Sequence, residues 1–183
     1  MVFGSGRLRT AKGPRPAAPP KAPGEGPPIT PAGFAALRAR YDHLLGTERP
    51  QIVEIVSWAA GNGDRSENGD YLYGRKRMRE IDRELAFLAR RMKAVRVVDP
   101  ARQEERTRVW FGASVVIADE DDNRRALTLV GDDEQDAGKG LIGWSAPIAR
   151  ALRGARLGDL RLVRLPGGEK EWEVMEITYP DPA

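Results

Sequence analysis

The stretch YLYGRKRMREIDRELAFLARRMKAV, residues 71–95, decides how the rest of the chain is read. Tyr71, Gly74, Met78, Ile81, Leu85, Leu88, Met92 and Val95 recur at alternating steps of three and four. That spacing lines one edge of a helix and makes the seam of a coiled coil. A seam of this kind needs a partner. Upstream, Phe34, Leu37, Tyr41 and Leu44, then Ile52, Ile55 and Ala59, follow a similar rhythm, with one long step between Leu44 and Ile52. Thr30 followed by Pro31 reads as an N-cap with proline at the first helical position. Pro50 removes a backbone donor and is expected to kink or break this first helix near Arg49. Only about ten residues separate the two seams, so an antiparallel hairpin is the economical arrangement. A second helix of this length gives an arm on the order of 40 Å.

Between the seams lies Gly61-Asn62-Gly63-Asp64-Arg65-Ser66-Glu67-Asn68-Gly69-Asp70-Tyr71. Asp64, Glu67 and Asp70 fall where the helices reverse direction, at the tip of the arm. Carboxylates there suit a hard cation or a partner protein. If Asp64 and Glu67 share a helical first turn, their side chains lie near one face. Two carboxylates can hold Mg²⁺ but cannot complete its octahedral shell. Helix capping accounts for the same residues, with Asp64 or Ser66 as N-cap and Glu67 favoured by the macrodipole. Spacing leaves both readings open. Trp58 is expected to pack across the turn against Tyr71 or Tyr73 and stiffen the tip.

Charge is unevenly spread. Residues 71–98 carry nine Lys/Arg against three acids, whereas residues 107–183 carry ten against fourteen. A basic arm therefore sits beside an acidic domain, a pattern that suits contact with phosphate or an acidic protein groove, or a plain solvated face. Arg75, Lys76, Arg77, Arg79 and Arg83 stand mostly off the seam and are the candidate nucleic-acid contacts. Residues 1–28 hold seven of the fourteen prolines and five Lys/Arg. They read as a disordered basic tail, because this composition cannot bury enough apolar surface to offset its ordering entropy. The chain has no cysteine, which excludes disulfides and thiolate metal sites and fits a reducing cytoplasm. No apolar run approaches the length of a membrane span, and the N-terminus lacks a signal-peptide core.

The fold class is α+β: a coiled-coil hairpin over residues 29–99, a polar linker and hinge over 100–106, and a small, mainly antiparallel-sheet domain over 107–183. Asp99–Pro100 is expected to end the second helix. Val109, Phe111 and Val115 to Ile117 suggest one strand and Ala126 to Val130 another, joined by a turn at Glu120 to Asn123. Ala146 to Arg153 reads as a short helix. Arg161 to Leu165 and Trp172 to Thr178 form a final hairpin, with Trp144 and Trp172 in core or rim packing. His43 is the single histidine. No Ser-His pair, P-loop or His-rich metal site is present.

These residues resemble the bacterial transcript-cleavage factors of the GreA/GreB family, closest to the GreB branch. The resemblance runs from about Ile29 to Tyr179. It is carried by Ile29-Thr30 with Gly33, Glu48-Arg49-Pro50, Ser57 to Ala60, Gly63 to Asn68 with Asp70-Tyr71, and Lys76-Arg77 with Arg79 to Arg83. In the second domain it is carried by Phe111 to Ala113, Val130-Gly131 with Asp133-Glu134, Pro147 with Ala149 to Leu152, and Gly158-Asp159. The resemblance implies an FKBP-like C-terminal domain that docks on RNA polymerase. It implies a coiled coil that enters the secondary channel and an acidic tip that joins the polymerase's Mg²⁺ in hydrolysing backtracked RNA. The family's acidic pair falls on Asp64 and Glu67, with Ser66 and Asn68 in the same motif orienting water or the RNA 3′ end. The protein would thus be no enzyme itself, would share its Mg²⁺, and would act as a cytoplasmic monomer without a membrane partner. The chain departs from the family at Gly69, where alanine is usual, at Ala146, where serine is usual, at Trp144, and in its extra N-terminal residues. Two competing readings stay open: a channel-binding regulator that inhibits without cleavage, and a basic coiled coil that binds RNA or DNA by itself.

Overall fold

A computed structural model describes residues 26–61, 68–165 and 167–182. The first helix, α1, spans Pro31–His43. Thr30 caps it through its hydroxyl, which accepts from Gly33 N at 3.0 Å. The helix does not break at Pro50. A π-turn over Leu44–Glu48 leads directly into α2, Arg49–Gly61, with Arg49 N donating to Leu44 O. The π-turn absorbs one extra residue, and this is the physical meaning of the long step between Leu44 and Ile52. With the wider turn just ahead, Pro50 sits in the first turn of α2, where its missing N–H is tolerated.

The second long helix, α3, spans Gly69–Ala94 and pairs with α1 and α2 as an antiparallel hairpin. Leu44, Ile81 and Leu88 form its buried centre, with Leu37, Tyr41, Ile52 and Leu85 packed against them. On α2 the seam runs through Val56 rather than Ile55, which is 42% exposed. A Cβ on Gly74 would lie 2.5 Å from Val56 Cγ2, so glycine here lets the helices approach closely.

Helix α3 stops at Ala94, short of the expected Asp99–Pro100. Val95 is already extended, and Arg96–Val97 (β2) pairs in parallel with Pro28–Ile29 (β1). The backbone donors and acceptors of this segment go to that small ladder instead of a longer helix. Pro28, expected in the tail, is therefore a strand residue; the tail's residues 1–25 lie outside the described part. Asp99 instead caps a 3₁₀ turn at Pro100–Arg102.

The C-terminal domain is a five-stranded sheet of order β5-β4-β3-β7-β6. Its strands are β3 (Ser114–Ala118), β4 (Arg124–Val130), β5 (Leu141–Gly143), β6 (Leu160–Leu165) and β7 (Gly168–Thr178). All pairs are antiparallel except β4 with β5. Val109 and Phe111 are buried but precede β3 instead of belonging to it, and the short β5 was not signalled by any alternation. Helix α4, Pro147–Leu152, covers one face, burying Ala149 and Leu152 against Val115, Ile117, Leu129, Val163, Trp172 and Val174. Tyr179 fastens the chain's end: its hydroxyl accepts from Trp110 N at 2.8 Å and donates to Arg108 O at 2.6 Å. No described helix is long and apolar enough to cross a membrane.

Candidate functional site

The tip is built on the last turn of α2 and the first of α3. Asp64, Ser66 and Glu67 lie outside the described residues. The frame around them is well specified. Asn68 is the N-cap of α3: its Oδ1 accepts from Tyr71 N at 3.2 Å, and its Nδ2 donates to Ala59 O at 2.9 Å. One amide thus starts the second helix and ties it to the end of the first. The cap of α3 falls on Asn68 and not on Asp64 or Ser66. Asp70 occupies the first turn of α3, where the helix dipole favours a carboxylate. Trp58, expected to pack across the turn, is 66% exposed, and Tyr73 is 63% exposed. Among the described residues no group of three or more His, Cys, Asp or Glu side chains could hold a metal ion.

The candidate nucleic-acid residues divide into two groups. Arg75, Lys76, Arg79 and Arg83 are exposed on α3. Lys76, Arg79 and Arg83 line a shallow depression with Asp82. Arg75 lies over the Tyr71 ring, 5.8 Å from its centroid. Arg77 is different. Its guanidinium pairs with Glu48 at 2.7 Å and Glu80 at 3.3 Å. Glu48 also takes Arg40 at 2.6 Å, and Arg40 reaches Glu84 at 2.8 Å. Arg40, then Arg77, hold the Glu48 carboxyl below its usual range, and Glu48 with Glu80 raises the Arg77 guanidinium in turn. Arg77 therefore braces the π-turn against α3 and is not a free cation. Nearby, Arg49 bonds Asp82 at 2.9 Å. The Glu48-Arg49-Pro50 and Lys76–Arg83 motifs are thus two sides of one contact.

At the other end of the arm, the remaining motifs meet. Glu134 Oε2 accepts from Thr30 N and from Gly131 N, each at 2.9 Å, and its Oε1 takes the Thr30 hydroxyl. A Cβ at Gly33 would collide with the Glu134 side chain. Arg91 bonds Asp133 through Nε at 2.8 and 2.6 Å. These contacts fix how the arm leaves the sheet domain. Spacing could not have found them, because Thr30 and Glu134 are 104 residues apart.

A fold of this kind, with an arm set on a sheet domain by matched residues, is met by family comparison along nearly its whole described length. Residues 27–97 match the N-terminal domain of the transcription elongation factors, and residues 103–179 match the C-terminal domain of GreA/GreB. The chain belongs to the GreA/GreB family of transcription elongation factors. It is 49% identical over 151 residues to the transcription elongation factor GreB of Neisseria meningitidis serogroup B, covering 82% of this chain and 93% of that one. It is 46% identical to GreB of Pseudomonas aeruginosa over 162 residues, covering 88% and 95%. Among solved structures, a GreA/GreB factor from Nitrosomonas europaea is 23% identical, with TM-score 0.37 and coverage of 84% and 99%.

Proposed function

We propose that this factor enters the secondary channel of RNA polymerase and stimulates Mg²⁺-dependent hydrolysis of backtracked RNA. The observation that carries this reading is the framing of the acidic turn. Asn68 ties the two helix ends together, and the residues between them hold the family's carboxylate pair, Asp64 and Glu67. The donor chemistry fits a hard cation: two carboxylates supply oxygen ligands, and water, RNA phosphate or polymerase must complete the shell. Asp64 and Glu67 would hold Mg²⁺ at such a shared site, where the ion would supply activation of a water and stabilisation of charge on the scissile phosphate.

The chain's own residues do the positioning. The hairpin carries the turn on two helices locked by the Leu44–Ile81–Leu88 centre and the Glu48 ion pairs. Ser66 and Asn68 belong to the same motif; Asn68 contributes by setting where α3 begins. Arg75, Lys76, Arg79 and Arg83 offer exposed cations along the arm for the phosphates of the extruded RNA, a salt-dependent attraction. The protein acts as a monomer in the cytoplasm and contributes no active site of its own.

The test is a polymerase stalled and backtracked on an end-labelled transcript, with the factor and Mg²⁺ added. Shortening of the RNA is expected. Asp64→Asn and Glu67→Gln are expected to lose that shortening while still competing with the unaltered factor for polymerase. Normal cleavage by either variant would overturn the assignment.

A further inference from the structure

The outer face of the β6–β7 hairpin is covered by nothing in the chain's described part. Cross-strand register pairs Leu160 with Glu173, Leu162 with Glu171 and Arg164 with Glu169. Alternation puts these residues on one face, opposite the buried Val163, Trp172 and Val174. Leu160 is 58% and Leu162 47% exposed, and both line a groove of about 510 Å³ with Glu120, Glu171 and Glu173; its one lysine, Lys170, is already paired with Asp119 at 2.5 Å. Glu169 is paired with Arg164 at 2.7 Å. Glu120, Glu171 and Glu173 have no ion-pair partner among the described residues. β6 is also the edge of the sheet. An exposed edge bearing leucines invites pairing or coverage.

We propose that residues 1–25 of the same chain dock on this face. Charge selects them. They carry Arg7, Arg9, Lys12, Arg15 and Lys21 against the single acid Glu25, with Phe3 and Leu8 as apolar anchors. Reach permits it. The described chain starts at the β4 side of the sheet, where Gly131 lies against Pro28 and Ile29. β6 is three strands away in the sheet order, and the groove is at the far end of those strands. That is roughly 30 Å by strand spacing and rise. A proline-rich segment of this length spans on the order of 75 Å when extended. Tethering places it at an effective concentration on the order of millimolar, so even a millimolar contact is about half occupied. The docked tail would shield the leucine-bearing edge and neutralise the acidic face.

The experiment uses the full chain. With no native cysteine, Ser5→Cys carries a single nitroxide spin label. Amide spectra of the isotope-labelled protein are compared with the label paramagnetic and reduced. The Leu160, Leu162, Glu171 and Glu173 amides are expected to lose about half or more of their intensity, following the occupancy above, while those of β5 keep theirs. High salt is expected to restore the signals, as is the pair Glu171→Lys and Glu173→Lys, whose side chains point away from the core. Loss spread evenly, absent, or unchanged by the charge reversal would overturn the proposal. Spin-labelled chains mixed with separate isotope-labelled chains provide the last arm: broadening there would assign the face to a second copy and overturn docking within one chain. None of these readouts depends on RNA cleavage.

Discussion

The two sides of the hairpin solve one packing problem differently. α3 runs unbroken for 26 residues, and every residue of its seam is buried or half-buried. Its partner side is two 13-residue helices joined by a π-turn. Both sides feed the same apolar centre. The difference lies between Leu44 and Ile52, where one residue more than a heptad must fit. A chain with an extra residue can break the helix or widen one turn. Widening keeps Leu37 and Leu44 in phase with Ile52 and Ala59, and it sits where Pro50 could not have donated. Glu48, at the end of the widened turn, is then fastened to α3 by Arg77.

Four tests sharpen this comparison. The largest effect is expected from the unbroken side. Ile81 is fully buried at the centre of the seam, and Ile81→Ala should cost about 2–5 kcal/mol in urea unfolding, from lost transfer and the cavity left behind. Next is the widened side. Deleting Gly46, whose position has open space around it, restores the heptad step but returns Pro50 to a helix interior, at a cost of about 3 kcal/mol. Adding Pro50→Ala to the deletion should recover most of that loss. If it does not, the π-turn does more than accommodate the extra residue and the proline.

The third test uses pH. Arg40 and Arg77 lower the Glu48 carboxyl, and Lys170, at 2.5 Å, followed by Asn123, lowers that of Asp119. A depressed carboxyl stabilises the fold above its unfolded value, near 4. That contribution is lost as the pH falls through the folded value. Thermal unfolding from pH 6 downward should show falling stability below pH ~4.5, where unfolded carboxylates begin to take up protons. Glu48→Gln should flatten this dependence for the arm, and Lys170→Met should flatten it for the sheet domain. The smallest effect is expected at the tip. Gly69, in the first turn of α3, has no atom within 4 Å of a built Cβ, and Gly69→Ala should stabilise the helix start by about 0.5–1 kcal/mol in urea unfolding. At α4, Ala146 gives no side-chain cap, and Ser145 N bonds Asp132 at 2.8 Å.

Periodicity and local chemistry determined the hairpin, the Thr30 cap, the acidic turn between the helices, the α+β class and most strands of the second domain. These features depend on neighbours within a few residues, so spacing alone reveals them. The long step at Leu44–Ile52 was visible too, and Pro50 alone suggested a kink or a break near Arg49; only packing against an intact α3 decided for a widened turn. Tertiary structure also decided that α3 stops at Ala94, because β1 offers β2 a ladder from the far end of the hairpin. It moved Ile55 out to solvent and Val56 into the seam, left Trp58 exposed, and drew Arg77 out of the set of free cations. It brought Thr30 and Gly33 onto Glu134, and Arg91 onto Asp133. Each of these depends on a partner distant in sequence, and a one-dimensional pattern carries no record of which distant residue will arrive.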